Sequence, residues 1–131
     1  MSHSRIKASI KLVGFAEDPD SITDKLGRQP SRSWRKGDRV PGTSMRRPTN
    51  GWAIDSDAGE NATFEEHLDF LVSEATTLPN VIGDDGKLLP LQFSFAIYIN
   101  DGNAPAIFVP PQCLKRVANL NISLDIDLYV L

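Results

Sequence analysis

Strict alternation of apolar and polar residues in three segments is the feature that most restricts the fold of this chain. The segments are "RIKASIKLV" (5–13), "LQFSFAIYI" (91–99) and "NISLDIDLYVL" (121–131), and each places apolar side chains at every second position. A period of two is typical of β-strands with one buried and one exposed face. Sheets of such strands are mostly antiparallel and carry helices on a single face. We therefore expect an α+β fold with a mainly antiparallel sheet and helices on one face.

Capping residues predict three helices between these strands. Asp18 can cap a first helix that ends at Gly27, and Thr63 with Glu66 forms a capping box at the start of a second helix. A third helix is expected after Pro110, because proline is well tolerated in the first turn.

Shorter strands complete the predicted order of elements. Residues 31–36 and 51–56 read as strands, and residues 106–109 read as another that follows "NDGN" (100–103), a hairpin turn signal. The order is then β-α-β-β-α-β-β-α-β, with about five to six strands. Its first six elements match the ferredoxin-like order, and a β-α-β extension follows.

The apolar sides of these elements predict the hydrophobic core. We expect nine residues to be nearly fully buried, namely Ile10, Leu12, Leu68, Leu71, Phe93, Phe95, Leu124, Ile126 and Leu128. Truncation of Leu71 or Leu124 to alanine should then cost roughly 2 to 5 kcal/mol of stability.

The length of 131 residues predicts a single domain that spans residues 1–131. Within it we expect residues 1–4 to be disordered and residues 37–50 to form a long loop. Cys113 is the sole cysteine, so no internal disulfide can form and a cytoplasmic location is expected. The sequence shows neither a signal peptide nor a run of about 18 apolar residues, so no membrane association is predicted.

Several segments together resemble a known family. They are "DPDSITDKLGRQPSRSWRKGD", "GWAIDS", "EEHLDFL" and "CLKRVANLNISLDIDLYV". The chain is similar, from about Lys7 to Val130, to small bacterial proteins catalogued as domain of unknown function 4279. The most specific part runs from Pro30 through Trp34 to Asp38. The resemblance implies a bacterial origin and one compact domain, and it implies no reaction, cofactor or catalytic residue.

A basic segment at residues 28–47 is the strongest indication of a binding site. It contains seven arginines and lysines and one acid, Asp38, although the net charge of the chain is −3. Trp34 lies within the segment, and Trp52 would share a face with it if strands 31–36 and 51–56 pair. The candidate binding residues are Arg32, Trp34, Arg35, Lys36, Arg39, Arg46, Arg47 and Trp52.

Three interpretations of this segment remain open at the level of sequence. The leading one is a non-enzymatic binding module, accessory or immunity-like, that recognises a protein or other anionic partner through residues 28–47. The second is a small-molecule site, or a small enzyme, that binds a carboxylate or phosphate around Arg32, Trp34 and Trp52. In the third, the cations pair with acids of the same chain. The oligomeric state is left open.

No catalytic, metal-binding or cofactor-binding residues are predicted. Cys113 is expected in the first turn of the third helix, where the dipole would lower the thiol pKa, but it lacks a base because His67 belongs to the margin of the core. The spacing of histidine, cysteine and acids offers no zinc site. The acidic composition argues against nucleic acid, as does "QFSFAIYI" (92–99), which lacks the glycine and aromatic pattern of RNA-binding sheets.

Overall fold

The computed structural model describes residues 4–131, which form one sheet and three helices around a single core. The elements in chain order are β1 (Arg5–Val13), α1 (Pro19–Leu26), β2 (Arg32–Trp34), β3 (Gly51–Asp55), α2 (Phe64–Thr76), β4 (Gln92–Ile99), α3 (Pro111–Asn119) and β5 (Ser123–Val130). The disorder predicted for residues 1–4 falls outside the described residues except at Ser4, whose hydroxyl donates a hydrogen bond to the Asn103 carbonyl.

The helix ends follow the capping residues that the sequence predicts. The Asp18 carboxylate accepts a hydrogen bond from the Asp20 N–H at 2.9 Å, and Gly27 ends α1 with a φ of 65°. At the start of α2 both hydrogen bonds of the capping box between Thr63 and Glu66 are present, each at 3.1 Å. These contacts satisfy backbone groups that have no partner inside the helix.

The sheet contains five strands in the order β2-β3-β1-β4-β5. The pairs β2–β3, β3–β1 and β1–β4 are antiparallel, whereas β4 and β5 are parallel and are connected through α3. The sheet is therefore mixed, and the predicted α+β class with helices on one face is confirmed. The ferredoxin-like order stays a prediction.

The predicted strand at 106–109 and its hairpin are wrong. Asp101 does adopt the left-handed conformation of a tight turn, with a φ of 53°, but residues 104–110 that follow form no strand. The reason lies in the neighbours of β4: β1 pairs with one of its edges and β5 with the other, so neither edge remains for a hairpin partner.

The core lies between the sheet and the three helices. Six of the nine predicted core residues are buried, namely Ile10, Leu12, Leu68, Leu71, Phe93 and Phe95. The prediction is wrong for β5, where Leu124, Ile126 and Leu128 remain 39%, 40% and 58% exposed. They do lie on the helix side of the sheet, each beside a buried residue of the neighbouring strand β4, namely Phe93, Phe95 and Ile97. However, β5 is an edge strand, and among the described residues only β4 makes extensive contact with it.

Candidate functional site

One face of the sheet carries no helix within residues 4–131, and we call it the open face. The residues that alternation and strand register assign to it include Lys7, Ser9, Lys11, Arg32, Trp34, Ala53, Asp55, Ser94, Ala96, Tyr98, Asp125, Asp127 and Tyr129. Two of these, Arg32 and Trp34, are among the predicted binding residues. Side chains from all five strands lie on the open face and are not covered by a described helix.

The two tryptophans do not share a face, so this part of the predicted site is wrong. Trp34 pairs with Gly51 and lies on the open face, whereas Trp52 pairs with Ser33 and points into the core. Trp52 is 0% exposed, and its indole N–H donates to the Thr23 hydroxyl at 3.1 Å. A one-residue step in a strand reverses the side on which a residue projects.

The indole of Trp34 lies directly over Gly51. A Cβ atom at position 51 would overlap the indole ring, so the absence of a side chain there allows the close approach. Arg47 covers the indole with its guanidinium carbon 4.4 Å from a ring centroid, and Arg32 lies 5.7 Å from it. Both distances are in the range of cation–π attraction. Arg32, Arg47 and Trp34 are all among the binding residues predicted from the sequence.

Arginines of the basic segment also form ion pairs with acids of the same chain. Arg32 forms a bidentate ion pair with Asp55, with nitrogen–oxygen distances of 2.9 to 3.1 Å. Arg35 donates to Asp18 at 2.7 and 2.9 Å, and this contact lowers the pKa of the Asp18 carboxyl. For these two arginines the third interpretation describes the structure. Arg35 therefore holds the segment after β2 against the start of α1.

Within the predicted long loop, residues 37–47 leave the sheet and return to it, and hydrogen bonds join the two arms of this excursion. The Arg47 N–H donates to the Asp38 carbonyl at 2.7 Å, and the Gly37 N–H donates to the Arg47 carbonyl at 2.8 Å. Asp38 also accepts from the Arg35 N–H at 2.8 Å, as expected for a turn. Two predicted binding residues, Arg39 and Arg46, are exposed on this excursion, and a third, Lys36, is exposed directly before it. Their side chains form no ion pair with another described residue.

A depression of about 580 Å³ occupies the open face. Its lining includes the cations Lys7, Lys11 and Arg32, the hydroxyls of Ser9 and Ser94, and the ring of Tyr98. Lys7, Ser9 and Lys11 are polar positions of the alternating segment 5–13, but they are not among the binding residues predicted from the sequence. The missing information was that β3, β1 and β4 lie side by side, which the alternation within one strand does not contain.

Two cations lie close together at one end of the open face. Lys11 and Arg32 flank Ala53 in the same row of the sheet. The pKa of Lys11 is lowered, mainly by burial and further by the charges of Arg32 and Arg47, while Asp125 and Asp127 oppose the shift. A buried ammonium beside other cations is destabilised in its charged form, and an anion bound there would relieve that cost.

The other end of the depression is aromatic. Tyr98 and Tyr129 stack with their ring centroids 5.0 Å apart. Arg5 and Lys7 lie over the Tyr98 ring at 4.8 and 5.9 Å. The open face thus combines cations at both ends with small hydroxyl side chains between them.

A serine–histidine contact also borders the depression. The Ser56 hydroxyl lies 2.8 Å from Nδ1 of His67, and it accepts a hydrogen bond from the Ala58 N–H at 3.3 Å. Ser56 therefore has the geometry to donate its proton to Nδ1. His67 is buried, which agrees with its predicted place at the core, and burial lowers its pKa so that the ring is neutral at pH 7. The contact is that of a structural hydrogen bond, since no described carboxylate hydrogen-bonds to the ring to orient it as a base.

Cys113 is buried at the start of α3, and its thiol is not activated. Burial and the nearby Asp69 carboxylate raise the thiol pKa, whereas the sequence predicted a lowered one. Desolvation of the thiolate exceeds the effect of the helix dipole. Within residues 4–131 no group of three or more histidine, cysteine or acidic residues has the arrangement of a metal site. In the same range, no helix has the length and apolar character that crossing a membrane requires.

Comparison with known proteins identifies the family. The model of the family described as Domain of unknown function (DUF4279) matches residues 4–131, and the chain therefore belongs to this family. No curated protein and no solved structure matches the chain significantly. The family description names no reaction, ligand or partner.

Proposed function

We propose that this DUF4279 domain is a non-enzymatic binding module that recognises an anionic group of a small ligand on the open face of its sheet. One observation carries the proposal: Lys11 and Arg32 flank Ala53 and line a depression of about 580 Å³, and Arg47 lies with Arg32 over the neighbouring Trp34. This volume falls in the range of roughly 300 to 1,000 Å³ that is usual for small-molecule sites. The observation favours the second interpretation of the basic segment, with Trp52 removed from the site and Lys11 and Arg47 added.

The three cations have different roles in this proposal. Arg32 is held by Asp55 through Nε and Nη2, so it presents a fixed positive edge. Lys11 and Arg47 form no ion pair with a described acid and supply the charge that a ligand neutralises. A carboxylate or phosphate is the matching chemistry, because both accept charge-assisted hydrogen bonds from ammonium and guanidinium groups. The hydroxyls of Ser9 and Ser94 offer hydrogen bonds to the rest of the ligand.

A second candidate surface is the excursion at residues 37–47, where Arg39 and Arg46 are exposed together with the neighbouring Lys36. Exposed cations that form no ion pair with a described acid suit an acidic protein partner, which is the leading interpretation from the sequence. Such a partner would contact the tip of the excursion rather than the depression.

An NMR titration distinguishes the two surfaces. ¹⁵N-labelled protein is titrated at low ionic strength with inorganic phosphate and, separately, with succinate as a dicarboxylate probe. The open-face proposal predicts saturable shifts of the Ser9, Lys11 and Ala53 amides that weaken as salt is added, since exposed charge interactions are screened over about 8 Å at physiological ionic strength. Shifts confined to residues 37–47 would favour the second surface.

Two variants complete the test. Lys11→Met keeps the apolar stem and removes the charge, so it should weaken binding of the probe about tenfold or more, the effect of losing one hydrogen bond to a charged group. Arg39→Gln is the matched control, and it should leave the affinity unchanged because Arg39 lies on the excursion. The proposal fails if neither probe shifts the open-face amides, or if Lys11→Met binds as tightly as the wild type.

A further inference from the structure

The outer edge of β5 has no partner strand among residues 4–131. β5 is eight residues long, and its inner edge pairs with β4 along that whole length. In any β-strand half of the backbone N–H and C=O groups point to each edge. The outer edge of β5 therefore presents a row of unpaired donors and acceptors, which is a template for another strand.

An apolar row accompanies this free edge. Leu124, Ile126, Leu128 and Val130 all lie on the helix side of the sheet and continue the rows of core residues in β4. They are 39% to 76% exposed because no described helix covers them. Contiguous apolar surface of this extent on a small domain marks an interaction site.

The opposite edge of the sheet, formed by β2, is protected against pairing with a further strand. β2 contains only three residues and follows Pro30 closely, and Arg32 projects from it. Short edge strands, prolines and cations are the features that block edge-to-edge pairing. Ser123–Val130 contains no proline, lysine or arginine, and its two aspartates point to the open face. One edge is thus closed to a further strand and the other is open.

We infer that β5 is the interface of a homodimer, in which the β5 strands of two copies pair antiparallel about a two-fold axis. A two-fold interface uses the same surface on both copies, so it requires a patch that is complementary to itself. The apolar row has this property because it is uncharged. If the axis passes through Leu128, Ile126 faces Val130 of the second copy and Asp127 faces Tyr129. An axis through Asp127 would instead bring like-charged carboxylates together, which is unfavourable.

The exposed area is close to what such a dimer needs. Six large residues supply it, namely Leu124, Ile126, Leu128, Tyr129, Val130 and Leu131. At roughly 150 to 200 Å² for a whole large side chain, their exposed fractions amount to about 500 to 650 Å². A stable interface buries about 800 Å² on each partner, and the exposed polar residues of the same strand supply the difference. The dimer would also bring the second copy beside Asp127 and Tyr129, which line the depression.

The mass in solution tests the inference and does not depend on the ligand. Light scattering and sedimentation velocity should give about 29 kDa, twice the mass of 14.4 kDa, with dissociation only on dilution. Leu128→Lys should shift the protein to the monomer at concentrations where the wild type is dimeric. Val130→Asp should also shift the protein to the monomer. This variant should fold normally because Val130 is 76% exposed in the monomer.

The control lies on the protected edge. Ser33→Lys changes an exposed residue on the helix side of β2 and should leave the dimer intact. Circular dichroism and thermal melts establish that each variant is folded. A wild type that is monomeric at every concentration would overturn the inference, and would mean that β5 stays free or is covered by something other than a second copy. A dimer that survives both β5 variants, or one that only Ser33→Lys disrupts, would also overturn it.

Discussion

Replacing Gly51 with alanine should destabilise the protein because the new methyl group would occupy space that the Trp34 indole fills. The backbone at Gly51 is not in the left-handed region, so alanine is acceptable there apart from this overlap. The clash involves the fused part of a rigid indole that also contacts Arg47, so a shift of the ring would disturb that contact. Overpacking of this kind typically costs about 1 to 3 kcal/mol.

The same substitution should have the opposite sign once the indole is gone. In a Trp34→Ala background the methyl group meets no ring, and alanine is favoured over glycine in a strand by roughly 0.5 to 1 kcal/mol because it restricts the unfolded chain. The two changes should therefore couple by about 1.5 to 4 kcal/mol in a double-mutant cycle. Coupling of that size requires direct contact between positions 34 and 51.

Urea denaturation of the four proteins measures this coupling. Far-UV circular dichroism follows the backbone, and fluorescence of the buried Trp52 provides a second probe that all four proteins retain. Coincident transitions would validate the two-state analysis. If Gly51→Ala costs as much without the indole as with it, Trp34 does not lie over Gly51, and the geometry at the basic end of the open face is wrong.

Two further predictions concern the core and its pH dependence. Leu71→Ala should lower the free energy of unfolding by about 2 to 5 kcal/mol, and Leu124→Ala by less than half as much. Both are measured by urea denaturation in the Val130→Asp background, in which β5 stays unpaired. Equal costs would contradict the 39% exposure of Leu124. Stability should fall as the pH decreases below about 6.5, the ordinary pKa of histidine, by up to about 1.4 kcal/mol per pH unit, because burial lowers the pKa of His67 in the folded protein and the unfolded chain takes up the proton first. Denaturation midpoints of His67→Gln should lose this slope. The carboxylates with lowered pKa values, Glu17, Asp18 and Glu66, contribute a slope mainly below about pH 4.5.

Local features of the fold could be predicted from the sequence because they depend on neighbours along the chain. The alternation in β1 and β4 identified their buried sides, and the caps at Asp18 and Thr63 marked the starts of α1 and α2. A strand at 31–36 requires Arg32 and Trp34, two residues apart, to project from the same side, as observed. Each of these conclusions needs only the period of a strand or the unsatisfied backbone groups at a helix end.

The relations between strands were decided by the tertiary structure. Alternation shows which residues of one strand share a side, but the register of pairing determines how that side matches the next strand. For this reason Trp34 and Trp52 were predicted together and lie on opposite faces, while Lys11, from a different strand, completes the basic end of the open face. The same limit applies to Leu124, whose pattern reports the side on which it projects and not whether a helix lies over it. The pattern is a property of the strand, whereas burial is a property of what packs against it.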